Sequence, residues 1–213
     1  MRSIMVINAK GGCGKSTLAT NVAAYFASYW DAVTSLADFD PQASSLEWLA
    51  HRPADRDRIL SVDARREGLV HLDRNTDFLI IDAPARVHGP DLTQLLRRAE
   101  TVLVPVLPSP IDIGAAAKFV AELLDVGKVA RKEVKVAVVA NRVRENLLIY
   151  AELQRFLDSL KVPVIATLRD TQNYIRAYQR GLGIHELPEY LSAPDREQWE
   201  PLVKWLESKR SQP

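Results

Sequence analysis

Apolar residues in this chain fall into short continuous runs separated by longer stretches in which they recur every three or four positions. Runs at 4–7, 32–37, 59–62, 77–82, 101–106, 134–140 and 162–166 read as strands. The more continuous of them fit parallel strands covered on both faces. Helical periodicity follows at 15–29, where Leu18, Val22, Ala23 and Phe26 share a face, and helices are also predicted at 43–50, 112–128, 147–159 and 195–210. Strands alternating with helices predict an α/β fold: a doubly wound, mostly parallel sheet flanked by helices, with right-handed crossovers. A chain of 213 residues suits one domain spanning 1–213.

Two polar stretches qualify this picture. Residues 51–76 mix charges of both signs (Arg52, Asp55, Arg56, Asp57, Arg58, Arg65, Arg66, Glu67), which reads as a solvated surface. The tail at 195–210 is amphipathic, with Trp199, Leu202, Val203 and Leu206 on one face and Lys204, Lys209 and Arg210 off it. Such helices usually face a core, and Asp195, Glu197, Glu200 and Glu207 argue against an anionic membrane surface.

Charge and cysteine count narrow the function classes. With 28 basic and 27 acidic residues, bulk charge gives no argument for nucleic acid, so any such contact needs a local patch. The single cysteine, Cys13, excludes an internal disulfide and a cysteine-built metal or iron–sulfur site. No apolar run reaches the ~18 residues of a spanning helix, and a cytoplasmic protein is expected.

The chemistry concentrates at Asn8-Ala9-Lys10-Gly11-Gly12-Cys13-Gly14-Lys15-Ser16-Thr17, between the first strand and the first helix. Glycines let successive backbone N–H groups curl around phosphate oxygens, and the helix that follows points its positive end at them. Lys15 would reach the β- and γ-phosphates of ATP, and Ser16 would ligate Mg²⁺. Asp38 and Asp40, two apart at a strand end, point to the same side of the carboxyl edge, where open α/β sheets bind ligands. Capping of helix 43–50, by Asp40 above all, is the alternative. Asp82 closes the apolar strand at 77–82 and is placed as a Walker B carboxylate for Mg²⁺.

Lys10-Gly11-Gly12-Cys13-Gly14-Lys15-Ser16 resembles the deviant Walker A signature of the ParA/MinD ATPases. The resemblance covers roughly residues 2–190 and is greatest to small ParA partition and positioning proteins without an N-terminal DNA-binding extension. It implies a P-loop ATPase that forms an ATP-sandwich homodimer, binds nonspecific DNA in the ATP state, and positions a cargo through hydrolysis stimulated by a ParB-like or adaptor protein. By the same resemblance Lys10 would contact the nucleotide of the opposite subunit, Asp40 would orient the attacking water and Asp38 would hold the Mg²⁺ shell. Gly11, Gly12, Cys13, Gly14, Lys15, Ser16 and Thr17 would cradle phosphates. Asn141 would recognise adenine, with 167–170 (Arg169 included) wrapping the base from the other side. Arg169, Arg176 and Arg180 would form a basic strip for DNA in the dimer; a solvated face is the other reading. The ATP-bound protein would then be nucleoid-associated.

Two other functions share this core. One is a MinD-like membrane-cycling ATPase anchored by 195–210, and the other a metabolic synthetase such as cobyrinic acid a,c-diamide synthase. The chain departs from the family after Asp82: where Thr-Pro-Pro or Ser-Pro-Ala-Gly is usual, it has Ala83-Pro84-Ala85-Arg86.

Overall fold

Seven strands form one sheet in the computed structural model, which describes residues 1–213. In chain order the elements begin β1 (Arg2–Val6), α1 (Lys15–Trp30), β2 (Thr34–Asp38), α2 (Ser44–Ala50), β3 (Ile59–Asp63) and α3 (Ala64–Glu67). They continue with β4 (Phe78–Asp82), α4 (Gly89–Leu96), β5 (Thr101–Val106), α5 (Pro110–Asp125), α6 (Gly127–Ala130) and β6 (Lys135–Val143). The last are α7 (Ile149–Ser159), β7 (Val164–Arg169), α8 (Asn173–Gln179) and α9 (Glu189–Glu207). The spatial order is β3-β2-β4-β1-β5-β6-β7, and every neighbouring pair is parallel. The chain winds from β1 to one side and then crosses to the other, so the loop after β1 opens at the switch point where such sheets bind ligands.

Alternation along the strands builds the two layers. Ile4, Val6, Leu36, Ile80 and Leu103 face one way and pack with Phe26 of α1 and Trp199, Leu202 and Leu206 of α9. Met5, Ile7, Ala37, Leu79, Ile81 and Val104 face the other way, against Leu92 of α4, Phe119 and Leu123 of α5 and Leu153 of α7. The apolar residues read on the tail helix are therefore core. No helix is long and apolar enough to cross a membrane.

Several boundaries differ from the sequence expectation. The helix expected at 112–128 starts at Pro110, because Ser109 accepts from the Asp112 N–H as N-cap and proline suits the first turn. It stops at Asp125, where Val126 turns extended. The tail helix starts at Glu189 and carries Pro194 and Pro201 inside it. The strand expected to end at 140 runs to Val143, placing Asn141 within β6, and β7 extends to Arg169. Helices α3 and α4 were not anticipated.

Candidate functional site

The loop after β1 leaves the start of α1 bare. Gly14 occupies the N-cap with φ of 93°, no side chain caps the helix, and no acid lies in its first turn. The first intrahelical bond is Leu18 N–H to the Gly14 carbonyl at 3.0 Å, which leaves the amides of Lys15, Ser16 and Thr17 for an anion. Lys15 itself is buried.

The loop's shape is fixed from several directions. Asn8 Nδ2 donates to the Pro105 carbonyl (2.7 Å) while Asn8 Oδ1 accepts from the Lys10 N–H (3.1 Å). The Cys13 thiol donates to the Lys10 carbonyl (3.3 Å), and burial pushes its pKa up, so it acts as packing and not as a reactive thiolate. Asn141 Nδ2 donates to the Cys13 carbonyl (2.9 Å), and its Oδ1 accepts from the Arg142 N–H (3.0 Å). The amide expected to read adenine is thus turned onto the phosphate loop.

A cavity of about 590 Å³ opens above this loop. Besides Gly11, Gly12, Gly14, Lys15, Ser16 and Thr17, it is lined by Asp40 and Gln42 after β2, Arg86 after β4, Arg142 at β6 and Tyr178 of α8. A larger depression, about 680 Å³ between α2 and β3, shares none of these residues.

The carboxylates divide their work differently from the expectation. Asp38 is fully buried and spends both oxygens on backbone: Oδ1 accepts from Asp40 N–H (2.9 Å), and Oδ2 accepts from Ser45 N–H (3.0 Å) and Leu46 N–H (3.3 Å). It therefore caps α2 from the end of β2, so the capping alternative falls to Asp38 more than to Asp40. Asp40 lies half-buried on the cavity wall, its Oδ1 accepting from the Gln42 N–H (3.0 Å).

Asp82 is fully buried beside Asp38. One oxygen accepts from the Ser45 hydroxyl, and Oδ1 has no partner. Burial pushes this carboxyl up to about 7; Asp38 adds to the rise, while the Ser16 and Ser45 hydroxyls and Lys15 oppose it. No group of three or more His, Cys, Asp or Glu exists to cage a metal. One orphaned carboxylate oxygen beside a serine fits Mg²⁺, which keeps several waters and shares its shell with phosphates.

The lysine preceding the glycines stands apart from the cavity wall. Lys10 Nζ lies 2.8 Å from Asp112 Oδ1 at the start of α5. The three arginines read as a basic strip also differ among themselves. Arg169 Nε donates to the buried Asp195 (2.5 Å), which raises the arginine's pKa, and Arg169 does not line the cavity. Arg176 and Arg180 are exposed. Sequence reasoning missed Ser45, Asp195 and Tyr178, whose hydroxyl donates to the Ser44 carbonyl (2.9 Å). None carries a local pattern; each meets its partner only through the fold.

Residues 4–184 match a family described as the CobQ/CobB/MinD/ParA nucleotide binding domain. The chain is 28% identical over 191 residues to a maintenance of carboxysome distribution protein A from Halothiobacillus neapolitanus, covering 87% of each. It superposes on the apo form of a Cyanothece McdA with a TM-score of 0.76 at 17% identity, covering 97% of this chain and 99% of that one. A MinD from Pyrococcus horikoshii in complex with Mg-ADP gives 0.74 at 16% identity, over 97% and 96% of the two chains.

Proposed function

Because the chain belongs to the CobQ/CobB/MinD/ParA nucleotide-binding family, we propose that it is a ParA-like Mg²⁺-dependent ATPase that positions or partitions a cargo. One observation carries the reading: the uncapped start of α1 opens onto the cavity, and just behind its Ser16 and Lys15 lies the buried Asp82 with one partnerless oxygen. A polyphosphate with its cation satisfies both. The likeness to carboxysome-distribution proteins supports a positioning role over a metabolic one.

In this reading the α1 amides and Lys15 bind the phosphates, and Ser16 and Asp82 hold Mg²⁺. When bound, the cation offsets negative charge that develops as the terminal phosphoryl leaves. Asp40, on the cavity wall, orients the attacking water. Lys10 leaves Asp112 to reach the nucleotide of a second copy, closing an ATP-dependent homodimer. Asn141 and the 167–170 segment take the adenine end. Arg176 and Arg180, with Arg169, then meet nonspecific DNA through phosphate contacts, which places the ATP state on the nucleoid. An adaptor protein accelerates hydrolysis and so releases dimer and DNA. Burial of Trp199, Leu202 and Leu206 leaves α9 little apolar surface for a bilayer.

The test combines phosphate release, sedimentation and a shift assay on random-sequence duplex with no nucleotide, ADP or ATP, at two salt concentrations. ATP hydrolysis, ATP-dependent dimers and salt-sensitive DNA binding in the ATP state are expected. Lys15→Ala should abolish nucleotide binding, and Lys10→Ala should abolish dimerisation and hydrolysis. Full hydrolysis by a monomeric K10A chain would overturn the sandwich dimer.

A further inference from the structure

Five non-glycine residues hold positive φ, and two of them, Arg86 (62°) and Arg142 (52°), line the candidate nucleotide cavity. Residues with a Cβ rarely adopt this left-handed region, and such outliers gather where a site needs them. The backbone conformation asks for glycine; the chain supplies a long cation.

The position of Arg86 is fixed while its charge is not. Its N–H donates to the Ala9 carbonyl (2.8 Å), and the Ala83 N–H three residues earlier donates to Val6 (3.1 Å). These bonds pin the segment after β4 against the entry to the phosphate loop. The guanidinium belongs to none of the ion pairs, whereas Arg52, Arg65, Arg131, Arg144 and Arg169 are each held by a carboxylate. Asp40, two residues beyond β2 on the neighbouring strand, lines the same cavity. β2 and β4 lie on one side of β1 and β6 on the other, so a nucleotide with its base toward β6 places its terminal phosphate between Asp40 and Arg86.

We infer that Arg86 contacts the terminal phosphate of ATP within its own subunit, so that this chain distinguishes ATP from ADP by the charge of this side chain. The planar fork of guanidinium suits a phosphate better than the point charge of lysine. The inference rests on the nucleotide reading above.

The test is a titration of the full chain with a fluorescent non-hydrolysable ATP analogue and with ADP, alongside thermal melting. Arg86→Gly, which the backbone accommodates, should weaken the ATP analogue about tenfold or more and leave ADP within about twofold. Its melting temperature should hold or rise. Arg86→Lys should retain part of the preference, and Arg86→Ala should lose it as Arg86→Gly does. An R86G chain that binds both nucleotides like the wild type, or weakens both equally, overturns this inference alone. So does an R86G chain that keeps the preference while R86A loses it, since strain and not charge would then be at work. A wild-type chain that binds neither nucleotide overturns the nucleotide reading and this inference together.

Discussion

Asp38 and Asp82 end neighbouring parallel strands in direct register, and both side chains are fully buried. The first is held by three backbone N–H groups, while the second keeps one oxygen without a partner. Two adjacent carboxylates of such unequal environment titrate differently, and one is set to accept a cation.

The first consequence is a pH dependence of the protein free of Mg²⁺ and nucleotide. Burial raises Asp82 to about 7, well above the ~3.9 of an unfolded aspartate, so between these values the folded chain holds a proton that the unfolded chain has lost. Stability is therefore greatest at the acid end of that window and falls as pH rises toward 7. Asp38, also raised by burial, adds in the same direction. Asp82→Asn should flatten much of the fall and exceed the wild type at pH 8 by roughly 2–4 kcal/mol. Parallel melting-temperature profiles for the two proteins from pH 4.5 to 8.5 would show that Asp82 carries no such shift.

Asp38 should matter for stability before it matters for metal. Asp38→Ala strips the acceptor from the amides of Asp40, Ser45 and Leu46, of which that of Ser45 is buried. A loss of about 2–4 kcal/mol is expected, with faster hydrogen exchange at Ser45 and Leu46. Asp38→Asn should fall between, because its NH₂ group must face one of the donors. Unchanged exchange in D38A would show that the 38–46 segment is held by other contacts.

The divide between what the sequence told and what it did not runs along contact distance. Gly14, Lys15 and Asp82 were legible because a bare helix start and a strand-end carboxylate are local patterns with a fixed spacing. The central strands were legible because continuous apolar runs have no solvated face. The hold of Asp38 on α2 was harder to read, because two of its partners, seven and eight residues on, are backbone amides of a helix that reads as already complete. The ion pair of Arg169 was not legible because its partner, Asp195, lies on α9 and enters only through packing. The early start of α9 was hidden by Pro194, which reads as a boundary yet sits inside the helix.

Arg169 consequently makes a poor probe of nucleic-acid binding. Removing it leaves the fully buried Asp195 with Asn173 Nδ2 as its remaining described side-chain partner (2.7 Å). Arg169→Ala should cost about 2–4 kcal/mol by leaving a buried charge unpaired. Arg176→Ala with Arg180→Ala touches exposed side chains and should leave stability within about 0.5 kcal/mol. If these two arginines contact DNA, the double variant should weaken binding and reduce its salt slope by about one to two. Urea unfolding and shift assays on the same preparations separate the two effects, and a stable R169A chain would show the Asp195 pair to be expendable.

The phosphate loop and β6 are fitted to each other at Gly14 and Asn141. A Cβ on Gly14 would collide with Asn141 Nδ2, and its φ of 93° is strained for any residue with a side chain. Gly14→Ala should therefore abolish nucleotide binding. Asn141→Ala removes the donor to the Cys13 carbonyl and should cost about 1–2 kcal/mol by itself. In the double variant the collision is gone but the backbone strain remains, so stability should recover in part relative to the sum of the single losses. Strict additivity in denaturant unfolding would show that the two residues do not press on each other.

The tail helix supplies the sharpest contrast between a core role and a membrane role. Trp199 is fully buried and its Nε1 donates to the Tyr174 hydroxyl (2.8 Å), joining α9 to α8. Trp199→Ala removes a large side chain from the layer shared with α1, and about 3–5 kcal/mol of stability should go with it. On the same helix the Lys204–Glu200 pair is exposed, so Lys204→Ala should change stability by less than about 1 kcal/mol. An anchor helix would reverse this order: its apolar face would be replaceable without unfolding, and the same replacement would release the protein from anionic vesicles. Urea unfolding and vesicle co-sedimentation of W199A and K204A distinguish the two, and a W199A chain that keeps wild-type stability while losing vesicle binding would return α9 to the membrane.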